Sequence, residues 1–268
     1  MSPLSLAHFT VIDADPLALI DVAADAGFDG VGLRLVAPPG AAPIVPVVGD
    51  AALQRAIRER LRARAVALLD VEAIWITPET RVTDLAPVLE VAAALGARSV
   101  IVSGNDPDDS RLVDNLGHLC EAAARCGLRV MLEFLPYTQV RTLGDAHALL
   151  TQVKPADAGI LVDALHLSRS GSSPSDLARY DPGLFSLVHL CDAPATIPAP
   201  AALRDEARGG RLLPGEGGLP LMALLQAVPP DVVTAVEAPS AAAAGLPPAA
   251  RAKAAFAASR SLLARLGR

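Results

Sequence analysis

The fold is decided by a repeating unit that residues 128–166 show most clearly, LRVMLEFLPYTQVRTLGDAHALLTQVKPADAGILVDALH. The apolar runs at 128–136 and 158–166 predict two strands, and the segment 142–153 between them predicts a helix. Strands that are apolar on both faces and alternate with helices are typical of a parallel sheet covered by helices. This stretch therefore predicts a β-α-β unit.

The same alternation continues along the whole chain. Eight β-α units predict an α/β fold, the (β/α)8 TIM barrel, formed as a single domain by residues 1–268. The alternative, an open doubly wound sheet, usually has a glycine-rich phosphate-binding loop after its first strand, and TVIDADP at 10–16 has no glycine. Predicted strands occupy residues 4–11, 30–36, 66–76, 98–104, 128–136, 158–166, 184–193 and 232–238, and predicted helices occupy 15–27, 51–65, 83–97, 110–127, 142–153, 174–180, 219–228 and 247–266.

The composition narrows the classes of protein that we consider. With 268 residues, 52% of them hydrophobic, the chain can bury one large core. The net charge of −6 argues against nucleic-acid binding, because proteins held by phosphate contacts are usually basic. No apolar run approaches the roughly 20 residues that span a bilayer, so we expect no membrane segment. Three cysteines, and no Lys or Arg before the apolar part of the N-terminus, favour a reduced, cytoplasmic protein.

Four polar residues follow the apolar runs of the last four predicted strands: Glu133, Asp163, His189 and Glu237. The carboxyl ends of barrel strands form one face, so we expect these side chains to converge. Three carboxylates gathered around one imidazole would repel each other without a cation between them. The sequence therefore predicts one divalent metal ion, with Mn²⁺ or Mg²⁺ favoured by the oxygen-rich ligands and Co²⁺ or Zn²⁺ as alternatives.

Each of these residues taken alone has a simpler explanation. A glutamate at a strand end is most often solvated or ion-paired, and a core histidine is usually neutral and hydrogen-bonded. Four such residues in four consecutive repeats favour a shared site instead. Side-chain alternation supports this, since Met131 shares a strand face with Glu133 and Leu187 shares one with His189. The polar residues therefore continue apolar faces that can fill the barrel interior.

Further candidate pocket residues lie on the earlier strands. His8 near the end of the first strand and Trp75 near the end of the third are candidates for substrate binding, with core packing as the alternative. Glu72 is an acid within an apolar strand. It either faces the pocket or forms a buried ion pair, for which Arg34 is the candidate partner.

The segment 193–218 is rich in Pro, Ala and Gly and is interpreted as an active-site loop between the seventh strand and helix, because regular structure resumes after it. It carries Arg204, Arg208 and Arg211. A guanidinium there can bind a substrate oxygen or phosphate, although a loop arginine is ordinarily solvated. We expect one of the three to serve the site. Tyr137, in the loop after the fifth strand, fits the pocket wall and the surface equally well.

Five motifs in the second half of the chain resemble a known family. LEFLP, VDALH, VHLCDAP, RLLPGEGGLPL and VEAPS occur in this order, as in the xylose isomerase-like TIM barrels, the sugar phosphate isomerase/epimerase group. The resemblance covers essentially the whole chain and is most specific from 128 to 240. It implies that the four strand-end residues bind the divalent metal and that His166 contacts the substrate.

The resemblance also implies a reaction. A metal-dependent isomerase or epimerase of this kind acts on a small ketose, inosose or related hydroxy-ketone through a cis-enediolate, and Glu133 and Glu237 would take and return the proton. One alternative is a metal-dependent dehydratase of the inosose or 3-dehydroshikimate type. Another is a non-catalytic barrel that binds a sugar or a partner protein. The expected partner is a small polyol or keto-sugar, and a homo-oligomer is common in the family but has no local signal here.

Two departures refine the resemblance. Ketose epimerases of the family carry an arginine a few residues after the strand-seven histidine, whereas no arginine follows His189 here until Arg204. The PGEG motif at 214–217 is more similar to the inositol-catabolism branch. Endonuclease IV shares the barrel but uses three zinc ions held by further histidines that are missing here. The resemblance therefore favours a sugar or inosose enzyme over a DNA-repair enzyme.

Overall fold

A closed barrel of eight parallel strands forms the centre of the protein. The computed structural model describes residues 3–267, and its strands follow one another around the barrel in chain order, with β8 closing on β1. The predicted TIM barrel is thereby confirmed. The strands are β1 Leu4–Leu6, β2 Gly30–Arg34, β3 Ala67–Ile76, β4 Ser99–Gly104, β5 Arg129–Glu133, β6 Ala158–Asp163, β7 Leu187–Leu190 and β8 Val233–Val236.

Helices connect the strands and cover the outside of the barrel. None of those described between residues 3 and 267 is long and apolar enough to cross a membrane. Short 3₁₀ helices lie at His8–Val11, Val82–Leu85, Pro174–Arg179, Pro182–Leu184, Pro200–Ala202 and Ala241–Ala243. The α-helices are α1 Pro16–Ala26, α2 Ala51–Arg64, α3 Ala86–Leu95, α4 Asp109–Arg125, α5 Leu143–Val153, α6 Ala164–Arg169, α7 Leu203–Gly209, α8 Leu221–Ala227 and α9 Pro248–Ala264.

Capping residues in the sequence set several helix ends. The Asp15 carboxylate accepts hydrogen bonds from two backbone N–H groups in the first turn of α1, at 2.8 and 2.9 Å. The same helix ends at Gly27, whose φ of 103° is the left-handed conformation that glycine adopts without strain. Thr142 and Asp145 form a reciprocal capping box at the start of α5. These local signals explain why the helices fall close to their predicted positions.

The strands are shorter than predicted, most of all the seventh, which was predicted at 184–193 and spans Leu187–Leu190. Two others, the first and the sixth, end early because a helix begins. The first, predicted at 4–11, ends at Leu6 and passes into a 3₁₀ helix. The sixth, predicted at 158–166, ends at Asp163, whose carboxylate caps α6 by accepting a hydrogen bond from the His166 backbone N–H at 3.0 Å. An apolar run looks the same whether it continues a strand or begins a buried helix, so periodicity alone misplaces both boundaries. His166 consequently lies on a helix.

The barrel interior is filled by one small apolar cluster, and a second, larger core lies between the strands and the helices. The interior cluster places Met131, Leu161, Leu187 and Ala235 on the inner face of four consecutive strands. Alternate residues of a strand share a face, so the residues two positions further along also face inward, at the carboxyl end. The predicted alternation is therefore confirmed, and it aims the four polar strand-end residues into the barrel mouth.

Candidate metal and active site

The four polar strand-end residues come together in one buried cluster. Glu133 and Asp163 are the last residues of β5 and β6, His189 lies within β7, and Glu237 directly follows β8. Strand pairing sets Asp163 opposite His189. Each residue offers one ligand atom, and these four atoms lie within 4.8 Å of one another. All four side chains are buried, so the cluster could hold a metal ion.

The imidazole of His189 shows the need for a cation most directly. Its Nδ1 lies 3.4 Å from Glu237 Oε2 and 3.9 Å from both Glu133 Oε1 and Asp163 Oδ2. Neither ring nitrogen makes a hydrogen bond to any residue between 3 and 267, although both are buried. A buried polar nitrogen without a partner is destabilising. The donor set of three carboxylates and one imidazole fits a divalent cation, which one of the imidazole nitrogens would coordinate.

The pKa values of the two glutamates are shifted in opposite directions in the metal-free protein. Burial, reinforced by the charge of Glu237, raises the pKa of Glu133 to about 8. Burial also favours a neutral Glu237, but His189 and Arg211 outweigh it and hold the pKa of Glu237 well below its usual range. One carboxyl group therefore holds a proton near neutral pH while the other is ionised, which is the division expected of a pair that exchanges protons.

Arg211 reaches into the same cluster from the segment after β7. Its Nη1 lies 2.5 Å from Asp163 Oδ2, and its Nη2 lies 3.1 Å from Glu237 Oε2. The guanidinium also donates from Nε to the carbonyl of Ala207 at 2.9 Å, which fixes it to α7. Its side chain is only 2% exposed. Of the three arginines singled out in this segment, Arg211 is the one that contacts candidate metal ligands.

His166 and Tyr137 form one wall of the site. The Nε2 atom of His166 lies 3.3 Å from Arg211 Nη2, and the Tyr137 ring meets the imidazole edge-on at a centroid distance of 5.8 Å. Burial lowers the pKa of His166 to about 4, so this imidazole is neutral at physiological pH. Burial also raises the pKa of Tyr137. Both residues line the cavity, which places Tyr137 in the pocket wall.

A buried ion pair forms the opposite wall. Arg34 Nη2 lies 2.8 Å from Glu72 Oε2, which confirms the predicted partner, and the guanidinium stacks over the ring of Phe9 at 4.5 Å. The other oxygen of Glu72 accepts a hydrogen bond from the His8 backbone N–H at 3.0 Å. The two His8 ring nitrogens lie 2.9 Å from the Ala14 carbonyl oxygen and 3.3 Å from the Arg34 backbone nitrogen. His8 does not line the cavity, so its contacts hold the end of β1 in place.

A cavity of about 490 Å³ adjoins the cluster. Its floor carries Glu133, His189 and Glu237, and Trp75 lies in its wall. A deep polar floor within mostly apolar walls is typical of a site for a small organic molecule. The rim is formed by the proline-rich loop after β2 and by α7, with Pro38, Pro39, Pro43, Ile44, Arg204 and Arg208 in the lining.

The segment 193–218 folds back on the barrel instead of extending into solvent. The Asp192 carboxylate accepts hydrogen bonds from the backbone N–H groups of Gly215 and Leu219 at 3.0 and 2.9 Å. A Cβ on Gly217 would lie 2.3 Å from the carbonyl oxygen of Ala193, so only glycine fits there. The segment was interpreted as a loop because it is rich in Pro, Ala and Gly, but it includes the helix α7. Its compact fold delivers four residues to the cavity, Arg204, Ala207, Arg208 and Arg211.

The barrel and the buried carboxylate–imidazole cluster define a class of TIM barrels with a candidate metal centre at the strand ends. Residues 20–262 match the family model described as xylose isomerase-like TIM barrel, and the chain belongs to this family.

Relatives and solved structures are similar over different parts of the chain. An inosose isomerase from Halalkalibacterium halodurans is 29% identical over 155 residues, which cover 54% of this chain and 53% of that relative. The alignment thus spans about half the length of this curated relative. The crystal structure of an IOLI protein with a bound zinc atom superposes with a TM-score of 0.80 at 20% identity, covering 98% of both chains. The 3-keto-D-glucoside 4-epimerase YcjR from E. coli superposes with a TM-score of 0.72 at 17% identity, covering 98% of this chain and all of the other.

Proposed function

We propose that the protein is a divalent-metal-dependent isomerase or epimerase of a small ketose, inosose or related hydroxy-ketone. The observation that carries the proposal is the buried cluster of Glu133, Asp163, His189 and Glu237, in which neither imidazole nitrogen has a hydrogen-bond partner among residues 3–267. The similarity to inosose isomerase supports the substrate class. The oxygen-rich donor set favours Mn²⁺ or Mg²⁺, with Co²⁺ or Zn²⁺ as alternatives.

When bound, the cation supplies Lewis-acid polarisation of the substrate's carbonyl and adjacent hydroxyl oxygens. Glu133 and Glu237 are proposed to move the proton. One carboxylate removes it from the carbon beside the carbonyl, and it returns to the same carbon on the opposite face or to the neighbouring carbon. The reaction involves no net gain or loss of atoms.

The surrounding side chains position the substrate. His166, neutral and directed into the cavity, is proposed to hydrogen-bond a substrate hydroxyl group. Arg211 holds Asp163 and Glu237 in place and presents its guanidinium to substrate oxygens. Trp75 offers an apolar surface to the carbon skeleton, and Arg204 lies at the rim of the cavity.

Metal uptake and hydrogen exchange test the proposal together. Protein loaded with Mn²⁺ is incubated in D₂O with a panel of ketoses and inososes, and deuterium entering at the carbon next to the carbonyl is measured by NMR. We expect exchange without loss of water. E133Q and E237Q should each abolish it, while E121Q, which changes an exposed glutamate on α4, should retain it.

Other outcomes assign the alternatives. Release of water with loss of a hydroxyl group would make the protein a dehydratase. A protein that takes up neither Mn²⁺, Co²⁺ nor Zn²⁺ would be a non-catalytic barrel. Full activity of both E133Q and E237Q would contradict the assignment of the two glutamates.

A further inference from the structure

We infer that the substrate of this site carries an anionic group, a carboxylate or a phosphate, which Arg204 and Arg208 bind at the mouth of the cavity. The inference rests on the proposed function and narrows its substrates to ketoses or hydroxy-ketones that carry such a group, which excludes free inososes. It follows from the arrangement of α7, from the absence of counter-charges and from the balance of charge in the cavity.

The arginines of α7 lie on one face of the helix. Arg204 and Arg208 are four residues apart, so their side chains are neighbours on the helix surface, and both line the cavity. Arg211 follows three residues later and reaches the metal cluster. The stripe therefore runs from the candidate metal centre outward to the rim, where Arg204 and Arg208 are separated by about 6 Å along the helix.

Neither of these two guanidinium groups forms an ion pair with an acidic residue between 3 and 267. Within the described part of the chain Arg208 makes no hydrogen bond or ion pair, and Arg204 makes one long hydrogen bond, 3.5 Å to the carbonyl oxygen of Pro39. The nearby Glu206 is engaged by Arg169, with oxygens 2.7 and 2.8 Å from its guanidinium nitrogens. Like charges four residues apart on a helix repel each other. Both side chains are exposed, so solvent screens this repulsion, and an anion bound between them would remove it.

The acidic residue at the rim, Asp13, has its charge neutralised within the protein. Asp13 lines the cavity but is ion-paired with Arg251. Arg34 lines the same cavity with a side chain that is 9% exposed, and its Nε atom is buried without a hydrogen-bond partner in residues 3–267, since only Nη2 reaches Glu72. A third guanidinium with unused donor capacity therefore lies in the cavity wall.

The charges around the whole cavity also favour an anion. Four arginines and four carboxylates line it, and Asp163 lies behind the lining. A divalent cation at the cluster would make the total positive, and a neutral sugar would leave that charge unopposed. Guanidinium groups bind carboxylates and phosphates through paired, charge-assisted hydrogen bonds. Because Arg204 and Arg208 lie outward from Arg211, the anionic group would sit on the end of the substrate away from the reacting carbon.

The test compares three molecules with related three-carbon skeletons: glycerol 3-phosphate, glycerate and glycerol. Each is titrated by calorimetry at low ionic strength into the metal-free protein, so that no anion can bind through a metal. Fluorescence of Trp75, the single tryptophan of the chain, reports binding within the cavity that it lines. The variants are R204Q/R208Q and the matched control R125Q, which changes an exposed arginine at the end of α4.

We expect at least one anion to bind at least tenfold more tightly than glycerol and to change the fluorescence of Trp75. R204Q/R208Q should weaken that binding at least tenfold with an unchanged melting temperature, and R125Q should bind as the wild type does. Preference for glycerol 3-phosphate identifies a phosphate, and preference for glycerate identifies a carboxylate. Equal binding of glycerol, undiminished anion binding by R204Q/R208Q, or no binding of either anion would overturn the inference. A protein that binds the anions but takes up no metal would instead contradict the proposed function alone.

Discussion

Arg211 Nη1 lies 2.5 Å from Asp163 Oδ2, inside a cluster of residues that could hold a metal ion. A guanidinium from the segment after β7 thus neutralises a carboxylate at the end of β6. The same arginine contacts Glu237 and the backbone of α7. The contact ties the folding of residues 193–218 to the geometry of the candidate metal centre.

Removing the guanidinium should destabilise the protein. R211Q leaves Asp163 buried with one charge uncompensated, and breaking such a buried pair typically lowers the free energy of unfolding by about 3–5 kcal/mol. Urea denaturation of metal-free protein measures the loss. Added Mn²⁺ should recover part of the stability of R211Q, because a cation would replace the missing positive charge beside Asp163. R125Q is the matched control, and a loss below about 1 kcal/mol for R211Q would contradict the structural role.

Metal binding should release protons. In the metal-free protein burial and Glu237 raise the pKa of Glu133 to about 8. Burial disfavours the charged form of His189, but its carboxylate neighbours, Glu237 first, outweigh this and raise its pKa to about 10. Both groups hold a proton at pH 7, and metal ligands must give theirs up, so we expect about two protons released per ion.

The affinity for Mn²⁺ should therefore rise with pH, steeply below pH 8 and less steeply from there to pH 10, following the two raised pKa values. Calorimetry at pH 7 in buffers of different ionisation enthalpy counts the protons. E133Q removes one titrating group and should release about one proton fewer than the wild type. Metal binding with no proton release would show that these ionisation states are wrong.

Asp70 should destabilise the protein increasingly as the pH rises from about 4 to about 7. Its carboxylate is buried on β3 with neither oxygen hydrogen-bonded to any residue from 3 to 267, and burial raises its pKa to about 7 from an ordinary 3.8. An acid whose pKa is higher in the folded state contributes stability at low pH that is lost as the pH rises between those two values. The free energy of unfolding of D70N should therefore rise relative to that of the wild type across this window, by roughly 4 kcal/mol in full, since one pKa unit corresponds to about 1.4 kcal/mol.

Thermal or urea unfolding of metal-free wild type and D70N at pH 4, 6 and 8 measures this difference. D231N, at an exposed aspartate before β8, is the control and should not change with pH relative to the wild type. If the difference in the free energy of unfolding between D70N and wild type stays constant from pH 4 to pH 8, the pKa of Asp70 is not raised.

Replacing Gly217 should distort the segment after β7. In G217A the new methyl group would lie 2.3 Å from the Ala193 carbonyl oxygen and 2.5 Å from Asp192 Oδ1, so the backbone must move. We expect a loss of about 1–3 kcal/mol in stability, and a larger relative loss of activity because α7 and Arg211 shift with the segment. G245A, with open space around the added methyl group, is the control. Equal activity of G217A and G245A would contradict the coupling.

Much of the fold and the candidate site could be predicted from the sequence because both depend on periodic patterns. The alternation of apolar runs with helical segments predicted the barrel. Side-chain parity placed Glu133 on the same strand face as Met131, and His189 on the same face as Leu187, and the structure shows that this face points into the barrel. Equivalent positions on consecutive strands then placed four ligand atoms together. Such patterns reflect the period of a strand and the repeat of a β-α unit, which are local properties.

Other features depend on contacts between distant parts of the chain and were not predictable in detail. His166 was expected at a strand end but lies on α6, because the carboxylate of Asp163 caps that helix. The helix α7 is concealed by its Pro/Ala/Gly surroundings, and the pairing of Arg211 with Asp163 joins residues 48 apart. That Asp70 has no hydrogen-bond partner in the described part of the chain likewise appears only when every strand is in place.

Anomalous diffraction from crystals grown with Mn²⁺ tests whether the four strand-end residues hold one divalent cation. We expect one strong peak per chain at the manganese absorption edge, within bonding distance of Glu133, Asp163, His189 and Glu237. Crystals of H189A grown in the same way should show the peak lost or greatly weakened. No peak in the wild type, or a peak elsewhere with His189 left uncoordinated, would show that these residues do not form the metal site.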